Sequence, residues 1–239
     1  KHMSDYLSNT ATKKRVSAPW VLAQKKNQGL SMLPAYDYPT ASLLDQAGID
    51  MLLVGDSVGP VIYGESNTLS VTVDDIVRHT KAVARGCQRA MVISDMPFLS
   101  YQTTVESAVL NAGRFLKEAG AQAVKLEGGA EYANIIAALV RAGIPVVAHI
   151  GLLPQSVHAV GGYRMFGKNE EERTRLLHDA QSVAAAGAFC VVLECVDPKT
   201  AKAITETIAI PTIGIGSGSD CDGQVLVTQD LIGMTIGHV

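Results

Sequence analysis

The sequence is poor in the features that assign a chain to a class by composition alone. Charged residues make up only 18%, and Lys+Arg 20 against Asp+Glu 23 leaves a net charge of −3. There is therefore no basic excess to bind a nucleic-acid backbone. Long apolar runs are missing too. One of the longest, Val183 to Leu193, spans eleven positions and ends at Glu194, whereas a spanning helix needs roughly 20. The first residues, Lys1-His2-Met3-Ser4-Asp5, lack the apolar stretch of a signal peptide, and Met3 reads as the natural start. The four cysteines (Cys87, Cys190, Cys195, Cys221) form no C-x-x-C pair and no zinc spacing. They read as small hydrophobes in a reducing cytoplasm. No G-x-G-x-x-G follows the first apolar run, as an open dinucleotide-binding sheet would require. What is present is apolar residue, 47% of 239 positions with a mean hydropathy of +0.18. That excludes a disordered chain and suits one large domain.

A pattern recurs along the chain. A helical stretch ends in Ala-Gly, a short apolar run follows, and a polar or Gly-rich turn closes it. Copies start at Ala47-Gly48, Ala119-Gly120, Ala142-Gly143 and Ala186-Gly187. Glycine past a helix end adopts positive φ without steric cost. Runs of four to six apolar residues suit strands covered on both faces. They begin near residues 51, 90, 123, 145, 189 and 211, with Gly29–Leu33 before them and Gln224–Val227 after. Helices are expected over Val71–Arg85, Thr104–Ala119 and Glu171–Ala186, with Ser70 and Thr104 as caps. Eight strands with about thirty residues per unit predict an α/β fold, a (β/α)8 TIM barrel. An N-terminal tail and helix over 1–24 precede the barrel over 25–239. Two long loops, Gly55–Ser70 and Gly151–Lys168, are expected over the mouth. Gly214-Ile215-Gly216-Ser217-Gly218 is either an anion site or a tight turn.

Four acids close four of these runs: Asp56, Asp95, Glu127 and Glu194. Barrel active sites draw on several strand ends at this face. The alternative is that each acid caps the next helix. Carboxylates converging without a His or Cys cluster suit a hard cation, Mg²⁺ more than Zn²⁺. Lys125 and Glu127 share strand parity, so both point into the barrel. They form either a structural ion pair or, through Lys125, a receptor for a substrate carboxylate. Ser57, beside Asp56, is either a cap or a ligand. His149 ends the fifth run and can face the mouth or be a satisfied polar residue.

With these residues in view, the chain resembles the ketopantoate hydroxymethyltransferases. The blocks that carry the resemblance include Ala35-Tyr36-Asp37, Val54-Gly55-Asp56-Ser57-Val58-Gly59, Asp95-Met96-Pro97-Phe98, Val124-Lys125-Leu126-Glu127-Gly128-Gly129, His149-Ile150-Gly151-Leu152-Leu153-Pro154-Gln155-Ser156, Gly161-Gly162-Tyr163, Leu193-Glu194-Cys195-Val196 and Ile213-Gly214-Ile215-Gly216-Ser217-Gly218. The resemblance runs from about residue 25 to 239. It implies a barrel of the phosphoenolpyruvate/pyruvate-domain type. The implied activity is a Mg²⁺-dependent transfer of a hydroxymethyl group from 5,10-methylenetetrahydrofolate to C3 of 3-methyl-2-oxobutanoate, giving 2-dehydropantoate for pantothenate biosynthesis. By the same resemblance, Asp56 and Asp95 are direct metal ligands that also meet the substrate. Glu127 is the third metal-site acid, acting through water. Ser57 and Lys125 receive the substrate carboxylate, and Glu194 is the catalytic base. The loop after strand two and Gly161-Gly162-Tyr163 would exclude water and hold the pterin. A cytoplasmic homo-oligomer, a decamer, is implied, with no nucleic-acid or membrane partner. Two departures stand out. Pro34 replaces a usual threonine, and the sequence ends before the family's C-terminal helical segment.

Overall fold

The computed structural model describes residues 14–27, 29–162 and 164–234. Met3, most of the expected N-terminal tail and Tyr163 lie outside the described residues. Eight strands run as β1 (Leu30–Pro34), β2 (Met51–Val54), β3 (Met91–Asp95), β4 (Ala123–Glu127), β5 (Val146–Gly151), β6 (Cys190–Glu194), β7 (Thr212–Ile215) and β8 (Gly223–Val225). Each pairs in parallel with the next, and β8 closes on β1. The expected TIM barrel is therefore present. Before β1 comes α1 (Ala18–Leu22). The crossovers are α2 (Tyr38–Ala47), α3 (Val73–Gly86), α4 (Val105–Ala119), α5 (Ala133–Arg141), α6 with α7 (Val157–Val160 and Glu170–Ala185) and α8 (Pro198–Thr207), and α9 (Thr228–Leu231) follows β8. No helix joins β7 to β8; a short glycine-rich loop does. No helix among the described residues is long and apolar enough to cross a membrane.

Strand parity sorts the core into two compartments. Met51 and Leu53, Met91 and Ile93, and Cys190 and Val192 fill the barrel interior with Val16 and Val21 beneath them. The alternate residues Leu52, Val54, Val92, Val124, Leu126, Val191 and Leu193 pack outward against the helices. Both faces are apolar because both are covered. Inside, Met32, Met51 and Met91 stand side by side on β1, β2 and β3. Continuing the inward parity upward reaches Asp95, Lys125, Glu127, His149 and Glu194. The top layer of the barrel is thus charged and the layers below it are apolar.

Local chemistry sets the helix starts. Thr72, not Ser70, caps α3. Its hydroxyl accepts from the Asp75 N–H, and Asp75 accepts in return from the Thr72 N–H at 3.0 Å. This reciprocal box satisfies two donors that Ser70 stands too far upstream to reach. Thr104 caps α4 as expected, with Ser107 closing the same kind of box. Three cysteines are buried as expected; Cys195 is half-buried and follows β6 at φ +50°.

Candidate active site

The strand ends on one face surround a cavity of about 260 Å³. Asp56, Ser57, Asp95, Lys125, Glu127, His149 and Glu194 all line it, so every site residue expected from the sequence meets at one mouth. Pro60, Val61 and Thr68 of the loop after β2 and Pro154 of the loop after β5 contribute to its walls. Pro34 does as well, at the last position of β1. Gly161 and Gly162 do not line it. Nor does the turn after β7 beyond Ile215. The Ser217 hydroxyl donates to the Leu193 carbonyl at 2.8 Å and accepts from the Val196 N–H at 3.0 Å, which makes this segment a tight turn braced on β6.

Lys125 pairs first with Asp95, at 2.9 Å between Nζ and Oδ1, and only at 3.9 Å with Glu127. An ion pair with Glu127 was the simplest expectation from sequence parity. Register explains the difference, because β3 and β4 set Asp95 directly opposite Lys125. Burial alone would lower the Lys125 pKa, but Asp95, Glu127 and Asp56 outweigh it and hold the ammonium charged. The opposite holds for the acids. Burial and the neighbouring Asp95 push Asp56 up to about 7. Burial raises Glu127 well above the usual carboxylate range, against the pull of Lys125. One ammonium is too little positive charge for these acids.

His149 bridges the two halves of the mouth. Its Nδ1 lies 3.3 Å from Lys125 Nζ and its Nε2 lies 3.2 Å from Glu194 Oε2. Burial and the Lys125 charge lower its pKa, so the ring is neutral. Nδ1 then accepts from the ammonium and Nε2 carries the proton that faces Glu194. The Nε2 contact is short but oblique, and Nε2 has no hydrogen bond of good angle. Glu194 is the most open of these acids, its side chain 16% exposed against 2% for Asp95 and Glu127. Opposite it, the Ser57 hydroxyl lies 2.7 Å from the Tyr36 hydroxyl, whose pKa burial raises.

The donors suit a hard cation. They are carboxylate oxygens, and Asp95 Oδ1 is buried yet accepts no well-aligned hydrogen bond, because the Lys125 contact is oblique. A buried anionic oxygen with spare lone pairs favours a positive charge beside it. Among the described residues no three His, Cys, Asp or Glu side chains gather closely enough to form a complete metal cage. Mg²⁺ does not demand one, since it commonly takes one or two carboxylates and fills its shell with substrate and water.

Three residues of this region carried no role at the sequence level: Tyr36, Tyr101 and Gln155. Gln155 Nε2 donates to Asp56 Oδ2 at 2.9 Å, and the Gln155 main-chain N–H donates to Glu127 Oε2 at 3.0 Å. Their only signal in the sequence was position. Tyr36 and Gln155 fall within matched blocks, and Tyr101 falls just beyond one.

Eight parallel strands closed into a ring, with charged side chains near the C-terminal ends of β2 to β6, define a (β/α)8 barrel with its site in the usual place for that class. Solved structures share the fold. Phosphonopyruvate hydrolase superposes with a TM-score of 0.68 at 14% identity, covering 92% of this chain and 83% of that one. A complex of phosphonopyruvate hydrolase with oxalate and Mg²⁺ gives 0.67 at 14%, covering 90% and 82%. A 2,3-dimethylmalate lyase of the PEP mutase/isocitrate lyase superfamily gives 0.64 at 16%, covering 92% and 84%. Sequence comparison goes further, and the chain belongs to the ketopantoate hydroxymethyltransferase family, whose profile matches residues 15–239. It is 58% identical over 211 residues to a 3-methyl-2-oxobutanoate hydroxymethyltransferase of Clostridium botulinum (strain Alaska E43 / Type E3), covering 87% of this chain and 77% of that protein. It is 56% identical to the protein of that name from Carboxydothermus hydrogenoformans, covering 88% and 76%.

Proposed function

We propose that this chain transfers a hydroxymethyl group from 5,10-methylenetetrahydrofolate to C3 of 3-methyl-2-oxobutanoate, giving 2-dehydropantoate. The observation that carries this reading is the meeting of Asp56, Ser57, Asp95, Lys125, Glu127 and Glu194 around one cavity in a chain of this family. Asp56 and Asp95 would hold Mg²⁺ directly, with Glu127 acting through water. When bound, Mg²⁺ supplies a Lewis-acid charge that favours the enolate form of a 2-oxo acid. That a protein of the same fold was solved with oxalate and Mg²⁺ is in keeping with this.

The protein's own side chains do the rest. The Lys125 ammonium and the Ser57 hydroxyl receive the substrate carboxylate. Tyr36, 2.7 Å from Ser57, orients that hydroxyl. Glu194 takes the proton from C3, and the C–H electron pair stays with the substrate as the nucleophile for the methylene carbon; one water supplies the hydroxyl oxygen and tetrahydrofolate leaves. Neutral His149, its Nε2 3.2 Å from Glu194 Oε2, adds no positive charge beside that carboxylate. The loops after β2 and β5 narrow the mouth and limit water there. The reading implies a cytoplasmic homo-oligomer.

The test is exchange at C3. Glu194→Gln should keep binding of Mg²⁺ and 3-methyl-2-oxobutanoate by calorimetry. It should lose C3 proton exchange with D₂O, followed by NMR, by about 10²–10⁴-fold. Full exchange in the variant removes Glu194 as the base. Consumption of the oxo acid that is indifferent to the folate would overturn the transfer itself.

A further inference from the structure

Gln155 is 5% exposed and sits on the loop after β5, in a short helical turn over Pro154–Ser156. All of its side-chain polar capacity is engaged. Nε2 donates to Asp56 Oδ2 at 2.9 Å and to the Met96 carbonyl at 3.0 Å. Oε1 accepts from Gln102 Nε2 at 3.1 Å and faces the Tyr101 hydroxyl at 3.0 Å. That hydroxyl shares its single proton with the Glu127 carbonyl, 2.8 Å away. These partners fix the orientation of the amide. Reversed, Oε1 would stand against a carboxylate and a carbonyl. The main-chain N–H of the same residue donates to Glu127 Oε2 at 3.0 Å. One loop residue thus grips two acids that come from different strands.

We propose that Gln155 is a positioning residue of this site, holding one oxygen of Asp56 through its amide and one of Glu127 through its main chain, so that Asp56 turns its other oxygen to a divalent cation while Glu127 stays fixed beside Lys125. The inference rests on the reading of the mouth as a cation site. Physically, two buried acids that repel each other would rotate apart unless tied. A neutral donor ties them without using up the charge that attracts the cation. A lysine or arginine in its place would neutralise Asp56 and compete with the metal. The tie also works in reverse. Since Pro154 helps line the cavity, a cation that orders Asp56 and Glu127 steadies the loop above them.

The experiment is Mn²⁺ binding to the full-length chain followed by electron paramagnetic resonance, with no turnover needed. Gln155→Met keeps the length of the side chain and the main-chain donor but removes the amide. It should weaken Mn²⁺ binding by about 10–100-fold, the usual effect of losing a partner of a metal ligand. Tyr101→Phe leaves the amide on Asp56 but removes one of the two contacts that hold its far end, Gln102 remaining, and should weaken binding less, by several-fold. Mn²⁺ affinity in Gln155→Met equal to that of the unaltered chain overturns the proposal. If Gln155→Met does not fold, an unchanged affinity in Tyr101→Phe overturns it instead. Failure of the underlying reading looks different. The unaltered chain would then not bind Mn²⁺, or Asp56→Asn would bind it equally well.

Discussion

Replacing Lys125 by methionine removes the one cationic side chain that lines the mouth among the described residues, while keeping its length. At an effective dielectric of about 20, the contacts at 2.9 Å to Asp95 and 3.9 Å to Glu127 correspond to gross attractions of about 6 and about 4 kcal/mol. Most of that is offset by the cost of burying the ammonium. The expected net loss is therefore that of breaking a buried pair, about 3–5 kcal/mol. The loss should depend on pH in one direction. Asp56 and Glu127 already stand above their unfolded values, Asp56 at about 7. A carboxylate raised by folding binds more protons in the native state than in the unfolded chain. Its stabilising contribution is full below the unfolded pKa and is lost as pH rises through the folded one. Without Lys125 these pKa values rise further, so the gap between variant and unaltered chain should widen from about pH 5.5 to about pH 8. Urea unfolding at fixed protomer concentration, with and without Mg²⁺, measures it. Mg²⁺ should close part of the gap by supplying the missing charge. A variant of unchanged stability at the higher pH, or a larger gap at the lower pH, would refute the electrostatic account.

Two other substitutions separate the mouth from the base. Gly151 ends β5 at φ +99°, and a Cβ there would stand 2.3 Å from the Glu194 carbonyl oxygen. Gly151→Ala should cost about 2 kcal/mol from the backbone alone and slow C3 exchange by about 10²-fold through displacement of Glu194; an unchanged exchange rate would show that β6 absorbs the clash. At the other end, Asp222 accepts from Lys25 Nζ, the Lys26 N–H and the Thr212 N–H at 2.9, 2.7 and 2.9 Å. Asp222→Ala should lower stability by about 3–5 kcal/mol while leaving C3 exchange per folded molecule intact; a loss of exchange in fully folded variant would contradict this separation.

The barrel was legible because doubly covered strands leave uninterrupted apolar runs and their helices end in glycine. The runs near 51, 123, 145 and 189 fall within one residue of β2, β4, β5 and β6. The last strand was less legible. The apolar run Gln224–Val227 overshoots β8, whose Gly223 instead approaches the Leu30 carbonyl closely enough to exclude a side chain. In the site, inward parity placed Lys125 and Glu127 correctly, but the first partner of Lys125 depends on the register of β3 against β4, which no single-strand pattern encodes. Gln155 was harder still. Its contact with Asp56 spans 99 positions, and loop residues have no periodicity to betray a role.

The three methionines lining the barrel on β1, β2 and β3 give the molecule a compliant floor beneath a rigid ceiling. An unbranched thioether fills uneven space by changing rotamer at little cost. The charged ceiling has less freedom, because Asp95, Lys125, Glu127 and His149 are buried and engage one another across β3, β4 and β5. Small errors in closing the ring of strands, or drift in the residues around it, are thus taken up at the end where no chemistry occurs. The spacing between Asp56 and Glu194 is insulated from them.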